Sequence, residues 1–263
     1  RIAEGPEVKA VSFEEGKKAG LITRCVMQNE YIDSILSMVN VEAIKAKNLR
    51  ILLDPMFGVS RTSLMTILMT ARCEVDLIHD RRDPLFGGRL PAPTEKTLHA
   101  LINDVVEQGY DLGIATDGDA DRLGIIDDQG RFIHPNSILV LLYYYLLEYK
   151  GWKGDAVRNA ATTELLDRIA EDHGFVCHEV PVGFKHISAG MEKYDALIGG
   201  ESSGGLTIRG HILGKDGIFA AALLVEMLSV TGRKMSSMLE EIYAKYGRME
   251  MAEYDRSEER RVG

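Results

Sequence analysis

Between Tyr110 and Ile126 an apolar run, Leu112-Gly113-Ile114-Ala115, delivers Asp117, Asp119 and Asp121 at alternate positions. Arg122 follows, and then a second apolar run, Leu123-Gly124-Ile125-Ile126. Short apolar runs bounded by turn residues predict buried strands, so the acids fall in a tight connection between two strands. Three crowded carboxylates repel one another unless a cation neutralises them. Gly118 and Ala120 add no bulk, so the backbone can curl and turn all three acids toward one point. Oxygen donors without Cys or His suit a hard ion such as Mg²⁺.

Two other functions compete for these residues. A calcium EF-hand loop needs Gly at its sixth position and Glu at its twelfth. Counted from Asp117, those positions hold Arg122 and Asp128, and the flanks read as strands rather than helices. A phosphatase with an aspartate nucleophile also ends a strand in Asp-x-Asp, which would make Asp117 the nucleophile. That motif normally opens its domain, whereas more than a hundred residues precede this one. The second alternative stays open.

The 263 residues suit one large or two modest domains with ample core. A net charge of −9, with no basic stripe, argues against nucleic acid as a partner. Cys25, Cys73 and Cys177 are far apart and odd in number, which disfavours zinc or disulfide frameworks and makes the cytoplasm the expected compartment. The longest apolar run, Ile138 to Leu147, is too short to span a membrane and reads as a core helix.

Periodicity predicts an alternation of helices and strands. A short helix is expected over 13–19 and a longer one over 31–39 with Asn29 as N-cap. A strand follows over 50–54, then a helix over 61–71 capped by Ser60, and a strand over 73–79. The segment 83–93 is loop, and Thr94 opens a helix with Leu98, Leu101, Ile102 and Val105 on one face. Asp127-Asp128-Gln129-Gly130 reads as a hairpin turn, and a boundary is expected between Phe132 and Pro135. The second half repeats the plan: a strand over 155–159, a helix capped by Thr162 or Thr163 up to His173, a strand over 175–180 and a helix over 183–194. Tyr194-Asp195-Ala196-Leu197-Ile198 then parallels Tyr110-Asp111-Leu112-Gly113-Ile114, which sets Asp117 on Glu201 and Asp119 on Ser203. This reads as a duplicated unit with one functional loop per copy. Asp216 caps a long apolar helix over 218–230, and a shorter one follows over 235–246. The fold class expected is α/β, with two similar layered domains, each a mixed or mainly parallel sheet flanked by helices.

Thr116-Asp117-Gly118-Asp119-Ala120-Asp121-Arg122 resembles the metal-binding loop of the α-D-phosphohexomutases, the phosphoglucomutase and phosphomannomutase superfamily. Gly199-Gly200-Glu201-Ser202-Ser203-Gly204-Gly205 resembles that family's sugar-binding loop, and the two occur in the family's order. The resemblance extends from about Tyr31 onward. It implies the middle two of four domains: 29–133 carrying the metal loop and 134–247 carrying the sugar loop. Residues 1–28 are then the tail and linker of a preceding domain, and 248–263 a lead-in to a following one.

The resemblance also implies roles. Asp117, Asp119 and Asp121 hold Mg²⁺ together with a phosphoserine from the first domain, and Arg122 lies beside the phosphoryl group. Glu201 and Ser203 bind sugar hydroxyls, Lys185 and His211 face the substrate, and Lys215 serves catalysis. The activity implied is movement of a phosphoryl group between C1 and C6 of glucose or mannose phosphate, through a phosphoserine and a bisphosphorylated sugar. The expected partners are that hexose phosphate, the bisphosphate intermediate and the flanking domains of the same chain. Two departures stand out: Ser202 replaces a frequent second Glu, and Leu213-Gly214 precedes Lys215 where relatives carry Pro-Glu. No Ser-His-Asn-Pro-type string, the family's nucleophile loop, occurs in the sequence. A metal- and sugar-phosphate-binding module without turnover is therefore the second reading, and 1–263 alone is expected to be inactive.

Overall fold

Strands lie where apolar residues run together at 51–53, 112–115 and 123–126, and the half-exposed helices where apolar residues recur at three and four. In the computed structural model, which describes residues 10–249, α1 (Phe13–Lys18) opens with a reciprocal cap between Ser12 and Glu15. Then come α2 (Gln28–Met38), α3 (Val41–Lys45), β1 (Arg50–Asp54), α4 (Ser60–Thr70), β2 (Glu74–Leu77), α5 (His99–Gln108), β3 (Leu112–Thr116), β4 (Leu123–Ile126) and β5 (Phe132–Ile133). The second half runs α6 (Pro135–Glu148), β6 (Ala156–Asn159), α7 (Leu165–Asp172), β7 (Cys177–Val180), α8 (Phe184–Tyr194), β8 (Ile198–Gly200), β9 (Leu206–Ile208), α9 (Gly217–Thr231) and α10 (Met235–Tyr246). The expected linker ends at 1–9 and 250–263 lie outside the described residues.

Two mixed sheets form, in the orders β2-β1-β3-β4-β5 and β7-β6-β8-β9. In each, the first two strands and the third are parallel and the fourth turns back antiparallel. The repeat read from the sequence is thus a repeat of topology. β3 and β8 take the same place, and Asp117 and Glu201 are each the first residue beyond it. The fold is the layered α/β arrangement expected.

Local caps differ from expectation in four places. Asn29 lies inside α2, whose N-cap is Met27 without a side-chain bond. Ser60 is the first residue of α4, and its hydroxyl accepts from Thr116 (2.7 Å), tying the helix to β3. Thr94 closes a turn with Thr97 rather than a helix, and α5 begins at His99. Thr163 Oγ1 accepts from Leu165 N (3.2 Å), but the capping position is Glu164. At Ser60 and Thr94 the hydroxyl bonds another hydroxyl instead of a helix-end N–H.

α9 explains how the halves join. Every residue from Gly217 to Ser229 is buried, because the helix packs on α3, α4, β3 and β4 of the first half and on α6 and β9 of the second. A helix covered on all sides has no polar face to keep. Its one buried charge, Glu226, takes the Tyr145 hydroxyl (2.5 Å), the Lys150 ammonium (2.6 Å) and the Asn40 N–H (2.8 Å). α9 starts at Asp216, which accepts from Ile218 N (2.9 Å) and Phe219 N (3.0 Å) as expected. Among the described residues no helix is long and apolar enough to cross a membrane.

Candidate active site

The acid loop leaves β3 and returns into β4 at the pair Thr116–Leu123. Ala120 takes a left-handed conformation (φ 64°), and its N–H donates to Asp117 O at 3.1 Å, curling the chain as the small residues permit. Asp117 is 2% exposed. Its Oδ1 accepts the Arg122 N–H (3.0 Å) and its Oδ2 the Arg122 Nε–H (2.7 Å). Burial pushes the Asp117 carboxyl above its ordinary range, against the pull of those two bonds. Asp119 is exposed and Asp121 half-buried. One carboxylate oxygen from each of the three lies within 4.8 Å of the others. Ligands about 2.0–2.6 Å from a shared cation span such distances, so the donor set fits a hard divalent ion.

Arg122 turns inward to Asp117, with Asp121 3.8 Å from its Nε. Asp128, six residues further on in the sequence, pairs with Lys234 instead (2.9 Å).

The second loop leaves β8 and returns into β9 at Gly200–Leu206. Glu201 Oε1 accepts from the Asn159 side chain and from Gly183 N–H, both at 2.9 Å. Asn159 is itself fixed, its Oδ1 accepting from Ala161 N (3.0 Å) and Thr162 Oγ1 (2.7 Å). Both of these bonds to Glu201 fall on Oε1. Ser203 is exposed, and Lys185 stands exposed on the first turn of α8. Asn159 and Gly183, which aim Glu201, carried no sequence signal beyond their place at the end of a strand and the start of a helix.

The two loops abut. A methyl on Gly204 would stand 3.7 Å from Arg122 Cβ, and one on Gly217 would collide with Arg122 O at 2.8 Å. Gly217 N–H donates to Ala120 O at 3.0 Å. Lys215 crosses from the second half to pair with Asp121. His211 is placed differently from these: its side chain is 5% exposed, Nε2 lies 2.7 Å from Asp216 Oδ2, and its ring packs on Phe219. The structure thus gathers Asp117, Asp119, Asp121, Arg122, Lys215 and the Glu201 loop at one junction, and sets His211 in the α9 cap behind it.

Two linked α/β units, an acid loop on one meeting a glycine-rich glutamate loop on the other, are the middle-domain arrangement of the α-D-phosphohexomutases. Comparison with known proteins agrees. The profile for phosphoglucomutase/phosphomannomutase, alpha/beta/alpha domain II, matches residues 29–130 and that for domain III residues 134–246. The chain belongs to the phosphoglucomutase/phosphomannomutase family.

A Thermococcus kodakarensis phosphoglucomutase/phosphomannomutase is 33% identical over 82% of this chain and 47% of its own length. A Sulfurisphaera tokodaii phosphoglucosamine/phosphogalactosamine mutase is 32% identical over 76% of this chain and 44% of its own. The crystal structure of a Thermus thermophilus protein assigned as a phosphomannomutase superposes with a TM-score of 0.81 at 30% identity, covering 90% of this chain and 57% of that one. The chain spans about half the length of the curated relatives it matches.

Proposed function

We propose that residues 1–263 supply the cation site and the sugar clamp of a phosphohexomutase that moves a phosphoryl group between C1 and C6 of a hexose phosphate, glucose or mannose. The observation that carries this reading is the contact of the two loops: the carboxylate cluster and the Glu201 loop meet at Arg122, Gly204 and Lys215. Asp117, Asp119 and Asp121 are the residues to hold Mg²⁺, which when bound offsets charge on the migrating phosphoryl group.

The chain's own side chains do the rest. Arg122 engages Asp117 through Nε, which leaves its terminal amino groups to phosphoryl oxygens in the fork geometry that suits them. Lys215 adds a second cation, held over the junction by Asp121. Glu201 presents Oε2 to a sugar hydroxyl, Ser203 offers a donor and acceptor beside it, and Lys185 flanks the loop. His211 fixes the entry of α9 and so the position of Lys215, four residues on. A phosphoserine on a flanking domain donates the group and a bisphosphorylated sugar turns over between the two transfers. The unpaired Cys25, Cys73 and Cys177 support a reducing, cytoplasmic setting.

An aspartate-nucleophile phosphatase fits poorly. Asp117 is 2% exposed and each of its oxygens accepts one bond from Arg122, so the carboxylate is held inward and its nucleophilicity is blunted by the paired guanidinium. The test is conversion of glucose 1-phosphate by the protein expressed from its full reading frame, with and without Asp119→Ala. Turnover that collapses in the variant is expected; equal turnover would sink the reading.

A further inference from the structure

Gly118 lies between two of the acids, and two other loops grip it. From the β1–α4 turn, Val59 N–H donates to Gly118 O at 3.2 Å. Gly58 sits so close that a methyl there would lie 2.6 Å from the same oxygen. From the loop before α5, Pro91 O accepts the Gly118 N–H at 3.3 Å, and the Phe86 ring would stand 3.2 Å from a methyl on Gly118. These loops run through left-handed backbone at side chains that rarely adopt it: Met56 (φ 49°), Phe57 (φ 62°), His79 (φ 49°) and Phe86 (φ 50°). Such residues persist only where their surroundings over-determine them, and they gather at functional sites.

Asp54 and His79 provide that constraint. Asp54, 1% exposed at the end of β1, accepts the Met56 N–H at 2.8 Å through Oδ1. Its Oδ2 lies 2.9 Å from His79 Nδ1, the imidazole nitrogen that donates to it. His79 O in turn accepts the Phe57 N–H at 2.9 Å, and the two rings pack with centroids 5.1 Å apart. The second loop rests on the same ring, since a methyl on Gly87 would stand 2.7 Å from Phe57 Cε2. One carboxylate–imidazole pair therefore locks both grips on Gly118.

We infer that Asp54 and His79 are positioning residues for the acid loop: they bond to none of its three acids but fix the two loops that hold Gly118. The inference rests on the reading of those acids as a cation site. Its test is Mn²⁺ titration of the 263-residue chain followed by water-proton relaxation. His79→Ala is expected to weaken Mn²⁺ about tenfold, the lower end for residues that orient metal ligands. His79→Asn keeps a donor and tolerates positive φ, so it should restore most of that affinity. Without metal, the Val59 amide should exchange faster in His79→Ala.

Tyr110→Phe separates positioning from stability, because it removes a bond to Asp76 (2.7 Å) at the other end of β3 and should leave Mn²⁺ affinity unchanged. Should His79→Ala not fold, Gly58→Ala pushes directly on Gly118 O and is expected to weaken Mn²⁺ as much. Wild-type affinity in His79→Ala and Gly58→Ala, beside loss in Asp119→Ala, would overturn the inference and leave the cation site standing. Wild-type affinity in Asp119→Ala would overturn both. An equal loss in Tyr110→Phe would assign the effect to general stability and overturn the inference.

Discussion

Lys215 reaches Asp121 by running across Gly205: a methyl on Gly205 would stand 2.7 Å from Lys215 Cγ, and the ammonium pairs with the Asp121 carboxylate beyond. A residue of the second half thereby meets the acid loop of the first, over a position that only glycine leaves open. Both side chains are about a quarter exposed, 29% and 26%, so the pair itself adds only about 0.2–1 kcal/mol to stability. In the function proposed, its use is to hold the Lys215 ammonium at the junction. Lys215→Met should change the urea-unfolding free energy by less than about 1 kcal/mol. It should also weaken glucose 1,6-bisphosphate by at least about tenfold, the loss of one charge-assisted bond. Gly205→Ala, by displacing the same side chain, should lose the same binding. Unimpaired binding in Lys215→Met would make that lysine a structural strut.

Glu201→Gln keeps an acceptor for Asn159 and Gly183 but removes the charge. Its melting temperature should stay near wild type while hexose phosphate affinity falls by about one to two orders of magnitude, the worth of a charged hydrogen bond at roughly 1.5–3 kcal/mol. Intact affinity with a lowered melting temperature would assign Glu201 to the fold instead.

Glu226 is the buried knot of the interface between halves, at 1% exposure with three donors on it. Burial and the neighbouring carboxylate push the Tyr145 phenol well above its usual value. Glu226→Ala strands the Lys150 ammonium, which is only 15% exposed, and should cost about 3–5 kcal/mol in chemical unfolding. A loss below about 1 kcal/mol would show that water replaces the carboxylate, as at a surface pair.

The acid loop also predicts a pH dependence. Asp117 has its carboxyl raised by burial, so the folded chain holds that proton more tightly than the unfolded one. The stability this group contributes therefore falls as pH rises from about 3.9, the ordinary carboxylate value, through the raised folded value, and is level above it. Asp117→Asn removes the titration. The metal-free unfolding free energy of wild type minus variant should decline across that window. A difference that grows with pH would mean that the Arg122 bonds outweigh burial.

Much of this was legible because pattern and chemistry agreed. The run from Leu112 to Ile126 announced two strands with an acid loop, and the Asp216 cap of α9 was read correctly from one residue and the apolar stretch behind it. The parallel between Tyr110–Ile114 and Tyr194–Ile198 put Asp117 and Glu201 at equivalent positions, and the sheets reproduce that register. What the sequence could not display were partners made by tertiary contact. Ser60 and Asn29 look like helix caps, but Ser60 is taken by Thr116 and α2 starts earlier. Arg122 has Asp119, Asp127 and Asp128 nearby in sequence yet folds back on Asp117. The Asn159 amide that aims Glu201 sits 42 positions away, and the His79–Asp54 pair spans 25; neither spacing has a local signature.

That the two loops form one site is tested most directly by calorimetry of glucose 1,6-bisphosphate binding with and without Mg²⁺. The chain, Asp119→Ala and Glu201→Gln are compared. Asp119 is exposed, so its loss should spare the fold. Mg²⁺ should raise bisphosphate affinity in the wild type, the rise should vanish in Asp119→Ala, and Glu201→Gln should weaken binding at either Mg²⁺ level. Affinity that is the same with and without Mg²⁺, and the same in both variants, would show that the loops do not act as one site.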